Sequence, residues 1–186
     1  MRFEIRRMHQ TFGITTLYVT HDQAEAMVIS DRVAVLEKGR VVQIGTALDL
    51  FDQPRTRFVA EFIGKTNLID GTATGPSTVA RGALTLRVAS ADLTPGAPVV
   101  ISIRPHQIEL APADPAPPAA PPRVNALAGT LLRASYLGDS VDYQVQLEQS
   151  DVVLRITGPT PPRARAGERV VLRIDPAACV PLVDSA

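Results

Sequence analysis

The run Leu17-Tyr18-Val19-Thr20-His21-Asp22-Gln23-Ala24-Glu25-Ala26-Met27 joins two different structural signals. Residues 15–20 are mostly β-branched or aromatic, which is typical of a strand that is buried on both faces. Asp22, with Glu25 three residues later, is typical of a helix start, because its carboxylate can accept a hydrogen bond from a free backbone N–H. The run therefore predicts a strand over 15–20 and a short helix over 23–29, with His21 between them.

On either side of this run the sequence predicts more mixed structure. Apolar residues at helical spacing before it predict a first helix that ends at Gly13. After it, two strand-like runs meet at Lys38-Gly39, which predicts a hairpin. Thr46 is expected to cap another short helix, and a last helix is expected around residues 58–63. Residues 1–68 are thus predicted to mix helix and strand.

From residue 69 onward the pattern changes to strands and turns. Six β-rich runs are separated by turn residues: 84–88, 99–103, 128–136, 141–147, 152–156 and 170–174. Short strands at this spacing are typical of a small barrel or sandwich. Residues 111–123 hold six prolines and five alanines, and we expect an extended loop there, because proline interrupts both helices and central strands.

Composition excludes several classes of protein. The chain has 186 residues with 19 basic and 19 acidic side chains, no Trp and eight Phe and Tyr. A nucleic-acid partner is not expected, because binding would need a basic surface or stacking aromatics. No apolar run reaches 18 residues and no secretory leader opens the chain, so neither a membrane span nor secretion is expected. The single Cys179 cannot form an internal disulfide, and we interpret it as a small buried hydrophobe.

Residues 17–27 resemble the switch-histidine segment of ATP-binding cassette (ABC) transporter ATPases. Ser30-Asp31-Arg32-Val33, Lys38-Gly39-Arg40-Val41 and Asp52-Gln53-Pro54 continue the resemblance toward importers of sugars, polyamines, iron or phosphonates. Ile101-Ser102-Ile103-Arg104-Pro105 resembles the arginine–proline strand of the TOBE domain that follows these ATPases. The fold class implied is α+β: a truncated α/β remnant of the nucleotide-binding domain over 1–68, then an all-β, five-stranded, OB-like TOBE domain over 69–186.

The resemblance implies a role for His21. In the family this imidazole faces the γ-phosphate of ATP and the attacking water, where Mg²⁺ is also bound. Only twenty residues precede His21, which leaves no room for the phosphate loop, signature motif and Walker B strand. We therefore expect a C-terminal remnant that neither hydrolyses ATP nor binds it tightly alone, with no cofactor in this chain. Gly64-Lys65-Thr66 imitates the end of a phosphate loop, but Val59 stands where its first glycine is needed.

The resemblance also implies partners and a location. Full-length relatives import a solute together with membrane-spanning subunits, at the inner face of the cell membrane, and form homodimers through the TOBE domain. The chain is thus expected to be a dimerisation and regulatory module, and the stretch at residues 62–68 favours a polyamine or iron importer. The alternative is a stand-alone TOBE barrel that binds a small oxyanion, for which Arg133, Ser135 and Ser140 are the candidate residues.

Three further expectations concern other parts of the chain. We interpret His9 and His106 as ordinary surface or half-buried side chains, since no Cys/His cluster surrounds them. Asp139 and Asp142 flank a turn and look too exposed for acid–base chemistry. The predicted strand over 15–20 would lack parallel neighbours, so the N-terminal part is expected either to associate or to fray while the barrel stays ordered.

Overall fold

A computed structural model describes residues 2–89, 92–112 and 124–182. The chain forms two compact units, Met1–Gly64 and Lys65–Ala186. The division falls slightly before the boundary expected after residue 68. Strand pairing explains the difference, because Asn67 and Leu68 already pair with the strand that contains Ser102 and Ile103.

The first unit contains short helices around a two-stranded antiparallel hairpin. Its elements are α1 (Arg2–Phe12), α2 (Gln23–Ile29), β1 (Val33–Glu37), β2 (Arg40–Gly45), α3 (Ala47–Asp52) and α4 (Arg57–Phe62). The expected hairpin is confirmed: Lys38 and Gly39 both have positive φ, which matches the twist of the flanking strands. Thr46 caps α3 through a reciprocal capping box with Asp49. The small core of the unit consists of Val35, Leu50, Val59 and Ile63.

The predicted strand over residues 15–20 is wrong for this structure. These residues have no regular secondary structure, and they form no ladder with any described residue. Leu17 is 92% exposed and Val19 is 88% exposed. A β-branched sequence favours extended backbone, yet a strand is stable only when neighbouring strands take up its backbone hydrogen bonds and cover its side chains.

The second unit consists of two five-stranded antiparallel sheets. Its strands are β3 (Asn67–Gly75), β4 (Thr78–Arg81), β5 (Leu84–Arg87), β6 (Pro98–Ile103), β7 (Ile108–Pro112), β8 (Asn125–Tyr136), β9 (Ser140–Leu147), β10 (Val153–Pro159), β11 (Arg169–Ile174) and β12 (Val180–Leu182). The strand orders are β12-β6-β3-β4-β5 and β10-β9-β8-β11-β7. One continuous core of aliphatic side chains lies within the unit, together with the buried ring of Tyr143.

The two sheets are built from an internal repeat. Asn67-Leu-Ile-Asp-Gly71-Thr72 opens the first half, and Asn125-Ala-Leu-Ala-Gly129-Thr130 opens the second. Each half ends with a 3₁₀ turn and a short strand, β7 or β12. That strand pairs with the other half: β7 joins β11, and β12 joins β6. Each half therefore contributes its last strand to the sheet of the other half, and this exchange joins the two halves.

The two repeated asparagines link each sheet to the edge of the other. The side chain of Asn67 bonds both the backbone N–H and the carbonyl of Arg155, at 2.7 and 2.8 Å. Asn125 does the same with Arg87, at 2.8 and 2.9 Å. These amides satisfy backbone groups at the outer edges of β10 and β5, which would otherwise lack a strand neighbour.

The predicted β-rich runs of the second unit are all strands, but the architecture is larger than expected. The residue pattern predicted six strands in a small barrel or sandwich, and the family resemblance implied a five-stranded barrel, whereas the described residues of this unit form ten strands in two sheets. It missed β3, β4, β7 and β12, which are short or are interrupted by glycine and proline. Ala111 and Pro112 end β7, and the rest of the expected loop over 111–123 lies outside the described residues.

Candidate functional site

The candidate site of the first unit is the junction between residues 15–20 and α2. The carboxylate of Asp22 accepts a hydrogen bond from the backbone N–H of Glu25 at 3.1 Å, as expected for a helix cap. Glu25 does not reach back to the backbone of Asp22. Its carboxylate instead accepts from the hydroxyls of Thr20 (3.0 Å) and Tyr18 (3.2 Å). Because Thr20 also accepts from the backbone N–H of Asp22, the backbone is held on both sides of His21.

His21 itself is exposed at this junction. None of the described residues forms a hydrogen bond or an ion pair with its imidazole. A histidine held at a fixed backbone position, with its ring free, can present a donor to a phosphate oxygen or a water. The position of His21 relative to α2 agrees with the expectation, whereas the predicted strand before it is absent.

Gly64-Lys65-Thr66 cannot serve as a phosphate loop. The Gly64 N–H points at the side chain of Gln23 (3.4 Å), and the Lys65 carbonyl accepts from the buried guanidinium of Arg104 (3.2 Å). This segment therefore does not present the row of free backbone N–H groups that a phosphate loop needs. His21 is thus the one described residue that the resemblance connects with nucleotide chemistry.

Arg133, Ser135 and Ser140, the candidates for an oxyanion site, do not converge. In the ladder between β8 and β9, Arg133 lies opposite Gln144, and Ser135 lies opposite Asp142. Ser140 donates its hydroxyl to the carboxylate of Asp139 at 3.0 Å. The basic groups here already face an anion of the chain itself, because Arg155 bonds the Asp142 carboxylate, and Arg133 and Lys65 act on it electrostatically.

Asp142 is less exposed than its place near a turn suggested. Its side chain is 12% exposed, and both carboxylate oxygens accept from the Nε of Arg155, at 2.8 and 2.9 Å. This charge-assisted hydrogen bonding lowers the pKa of the Asp142 carboxyl, against the opposing effect of burial. A carboxylate held ionised by an arginine is a structural ion pair rather than a general acid.

Two other interpretations can be compared with the structure. Cys179 is fully buried, and burial raises the pKa of its thiol to about 12, which agrees with a small core residue. Among the described residues, no group of three or more His, Cys, Asp or Glu side chains could hold a metal ion. His9 lies in α1, and His106 lies in the 3₁₀ turn before β7.

One further feature of the second unit was not predicted from the sequence. A cavity of about 230 Å³ lies between the 3₁₀ turn at His106, strand β7 and strand β10, and Tyr143 and Arg163 are among the residues that line it. No short motif marks this cavity, because its walls come from four separate parts of the chain. The repeated Asn-x-[Leu/Ile]-x-Gly-Thr hexapeptide would have revealed the two halves that surround it.

Comparison with known proteins identifies the family. The family model of the TOBE domain matches residues 101–182 of this chain. The spermidine/putrescine import ATP-binding protein PotA of Nostoc sp. (strain PCC 7120 / SAG 25.82 / UTEX 2576) is 40% identical over 157 residues, which is 79% of this chain and 39% of that protein. The sulfate/thiosulfate import ATP-binding protein CysA of Burkholderia mallei (strain ATCC 23344) is 39% identical over 153 residues, covering 82% and 41%.

A third relative and a solved structure agree. The Fe(3+) ions import ATP-binding protein FbpC of Brucella abortus (strain 2308) is 32% identical over 158 residues, covering 83% of this chain and 42% of that protein. The crystal structure of the cytoplasmic molybdate-binding protein ModG, with molybdate bound, covers 63% of this chain and 95% of its own, with a TM-score of 0.56 at 14% identity. That likeness shows a shared fold.

The chain spans about two fifths of the length of the curated relatives it matches. In the described part of the chain, no helix is long and apolar enough to cross a membrane. The second unit is mostly β and OB-like, as expected for a TOBE domain. With a TOBE domain over residues 101–182 and a match to three kinds of importer subunit over about four fifths of its length, this chain is related to the ATP-binding subunits of ABC importers.

Proposed function

We propose that the chain is the C-terminal part of the ATP-binding subunit of an ABC importer, and that by itself it is a dimerisation and regulatory module without ATPase activity. One observation carries the proposal: the match to PotA covers 79% of the chain. The second unit makes up about two thirds of the chain, so the match extends into the unit that contains His21.

In this role, His21 is the switch histidine of the assembled subunit. The capped start of α2 and the contacts of Glu25 with Tyr18 and Thr20 support this assignment, because they fix the backbone around an unpaired imidazole. When ATP and Mg²⁺ are bound by the rest of a full subunit, they supply the reacting phosphate and charge stabilisation. The contribution of this chain is a hydrogen-bond donor at a fixed position.

We assign the dimerisation role to one surface of the second unit. Leu132, Tyr136 and Leu137 are large apolar side chains of β8 and the turn after it, and they are exposed by 49%, 67% and 58%. Apolar side chains grouped on one hairpin are typical of contact surfaces. The partners in this proposal are a second copy of the subunit and the membrane-spanning subunits, at the cytoplasmic face of the membrane.

The transported solute is proposed only as a class. The relatives are named for spermidine and putrescine, for sulfate and thiosulfate, and for Fe(3+) ions. The stretch at residues 62–68 favours the polyamine or iron type. A solute in this system would contact the membrane-spanning subunits rather than this chain, so this chain carries little information about solute choice.

Sedimentation equilibrium of the chain tests the dimerisation role. The wild-type chain is expected to form dimers, and a variant carrying both Tyr136→Asp and Leu137→Asp is expected to be monomeric. Val19→Asp changes an even more exposed apolar residue of the first unit and serves as the matched control. Dimers that are lost with Val19→Asp but kept by the double variant would contradict the assigned surface. A wild-type chain that is monomeric throughout would contradict the role itself.

A stand-alone small-ligand protein is the second candidate function. The cavity beside Tyr143 favours it, because a built pocket in the second unit can hold a ligand without any contribution from an ATPase domain. A thermal-shift screen against oxyanions, sugars and polyamines separates the two candidates. A ligand at 100 times its dissociation constant would stabilise the chain by about 2.7 kcal/mol.

A further inference from the structure

The last part of β8 leaves one sheet edge of the second unit open. On the side of β11, pairing with β8 ends at Leu131. The Leu131 N–H donates to the Glu168 carbonyl at 2.9 Å, and its carbonyl accepts from the Gly167 N–H at 2.7 Å. Residues 132–136 extend beyond this point and pair with β9 alone. Among the described residues, no strand pairs with their other side.

The hydrogen-bond pattern of this ladder shows which backbone groups face the open side. The N–H of Leu137 donates to the carbonyl of Ser140 at 2.9 Å, so Leu137 faces β9. Successive residues of an antiparallel strand direct their N–H and C=O groups to opposite sides. Ser135 therefore also faces β9, whereas Ala134 and Tyr136 direct their backbone groups to the open edge. This edge can accept a further strand.

Elsewhere the unit covers the edges of its sheets. The side chain of Asn67 bonds the backbone of Arg155 in β10, and the side chain of Asn125 bonds the backbone of Arg87 in β5. No side chain of a described residue bonds the open edge of β8 in this way, and the large apolar side chains on it are exposed. An uncovered edge of this kind is a template for pairing with another chain.

The open edge is complementary to a second copy of itself. When two copies pair antiparallel about a two-fold axis at Ser135, Ala134 of each copy faces Tyr136 of the other, and the outward backbone groups of both residues find partners. Other registers are less complete. An axis at Ala134 would use Leu132, where the ladder with β9 has a bulge, and an axis at Tyr136 would use Gly138, whose φ of 100° belongs to the turn.

Charge complementarity also favours a second copy as the partner. Arg133 is exposed and forms no salt bridge with any described residue, and the exposed carboxylate of Asp139 accepts only from the adjacent Ser140 hydroxyl within the described ranges. In the register about Ser135, Arg133 of one copy faces Leu137 of the other, and Asp139 lies diagonally beyond it, within reach of a long side chain. The two-fold axis forms this ion pair on both sides and keeps the two arginines roughly 13 Å apart along the strands.

We propose that two copies of this chain dimerise by pairing the open edges of β8 antiparallel about Ser135, which joins one sheet of each copy into a continuous sheet. The inference rests on the proposed dimerisation role and gives that role a geometry. Main-chain hydrogen bonds at an edge supply affinity, and the side chains that meet across it supply specificity. Leu132, Tyr136 and Leu137 then lie at the contact, where burial of their exposed apolar surface favours association.

Sedimentation equilibrium of proline variants tests the backbone pairing. Ala134→Pro removes an N–H that faces the open edge, a change that an edge strand tolerates, and the symmetry removes it from both copies. We expect the dissociation constant of the dimer to rise by about tenfold or more. Thr85→Pro is the matched control and is expected to leave this constant unchanged. Thr85 is an exposed residue of β5, and its N–H faces away from the ladder with β4, as that of Arg87 does.

Disulfide cross-linking tests the register. Ser135 lies on the axis in a pair without mutual hydrogen bonds, where the two Cα atoms are ~4.5 Å apart, and disulfides span Cα distances of ~4.4–6.8 Å. Ser135→Cys is therefore expected to form a covalent dimer in oxidised glutathione, whereas Thr85→Cys is not. Cys179 takes no part, because it is fully buried and burial raises the pKa of its thiol to about 12.

Each result decides the proposal. Unchanged dimer affinity in Ala134→Pro or an equal loss in Thr85→Pro overturns the edge pairing, as does Ser135→Cys that cross-links no faster than Thr85→Cys. Cross-linking decides the question even where Ala134→Pro unfolds. When these tests fail but the Tyr136→Asp and Leu137→Asp double variant still becomes monomeric, the dimerisation role stands and only its geometry is wrong. A wild-type chain that is monomeric overturns both.

Discussion

At the scale of single residues, the pairing of Asp142 with Arg155 shows how folding changes the exposure and the pKa of a carboxylate. Asp142 lies two residues after the turn that begins β9, where sequence alone suggests an exposed side chain. The structure pairs it with a guanidinium thirteen residues away, on the neighbouring strand. The partner of Asp142 could not be predicted before the register of β9 and β10 was known. Burial and charge of single residues are therefore the part of this protein that the sequence predicted least.

This pair makes the stability of the chain depend on pH. Because the pKa of Asp142 is lowered in the folded state, its ionised form stabilises the fold above its unfolded pKa of about 3.9, and this contribution is lost as the pH falls through the folded pKa. Asp142→Asn is expected to lower the free energy of unfolding by about 1 kcal/mol at pH 7, a modest value because Arg155 is half exposed.

Urea unfolding of the variant and wild type at several pH values measures this effect. The difference between them should shrink below about pH 4, where the wild-type carboxylate becomes protonated. Asp139→Asn is the control, since the Asp139 carboxylate is exposed and accepts from the adjacent Ser140 hydroxyl. A difference that stays constant down to pH 2, or an equal loss in Asp139→Asn, would argue against the ion pair.

At the scale of structural elements, the internal repeat explains why two glycines recur inside strands. Gly71 and Gly129 take the same place in β3 and β8. A Cβ at either position would lie 2.6 Å from a valine methyl group of the adjacent strand and under 3 Å from a backbone carbonyl oxygen. The neighbouring backbone cannot yield to such a contact without distorting the ladder, so only glycine fits.

Gly71→Ala and Gly129→Ala are therefore each expected to destabilise the second unit by about 1–3 kcal/mol, the usual range for overpacking. Gly75→Ala is the matched control in the same strand as Gly71, because a Cβ there has its nearest neighbour at 3.9 Å. Thermal unfolding followed by circular dichroism measures the three variants. Equal midpoints for Gly71→Ala and Gly75→Ala would show that the close approach is relieved without loss of stability.

The element scale also shows which parts of the fold were predictable. The caps at Asp22 and Thr46, the turn at Lys38-Gly39 and the long β-rich runs depend on local chemistry, and the structure confirms them. Strands β7 and β12 could not be predicted, since each exists only by pairing with the other half of the repeat. Pairing across such a distance leaves no periodic pattern in a short segment.

At the scale of the whole molecule, the two units are expected to differ in local stability. Residues 15–20 have no strand partner among the described residues, and their apolar side chains are exposed, whereas the second unit has a continuous core. Amide hydrogen exchange should therefore be fast at residues 15–20 and slow in β6 and β9. Self-association through the first unit would instead protect residues 15–20 in a concentration-dependent way. Strong protection of residues 17–19 in a chain that light scattering shows to be monomeric would contradict this account.

The family was predictable from sequence because its motifs are contiguous, and the comparisons confirm it. The cavity beside Tyr143 was not, because its walls come from four separate parts of the chain. The role of His21 remains a proposal on which the transport function depends. It is tested by joining the chain to the N-terminal part of the Nostoc polyamine-import subunit and measuring ATP hydrolysis by the purified chimera.

The decisive measurement compares ATP turnover by the chimera that carries His21→Ala with ATP turnover by the chimera that carries His9→Ala. We predict that His21→Ala lowers turnover by about 100-fold or more while ATP still binds, since loss of one fixed donor to the transition state removes roughly 3–4 kcal/mol, and that His9→Ala leaves turnover unchanged. A His21→Ala chimera that hydrolyses ATP as fast as the parent chimera would contradict the account.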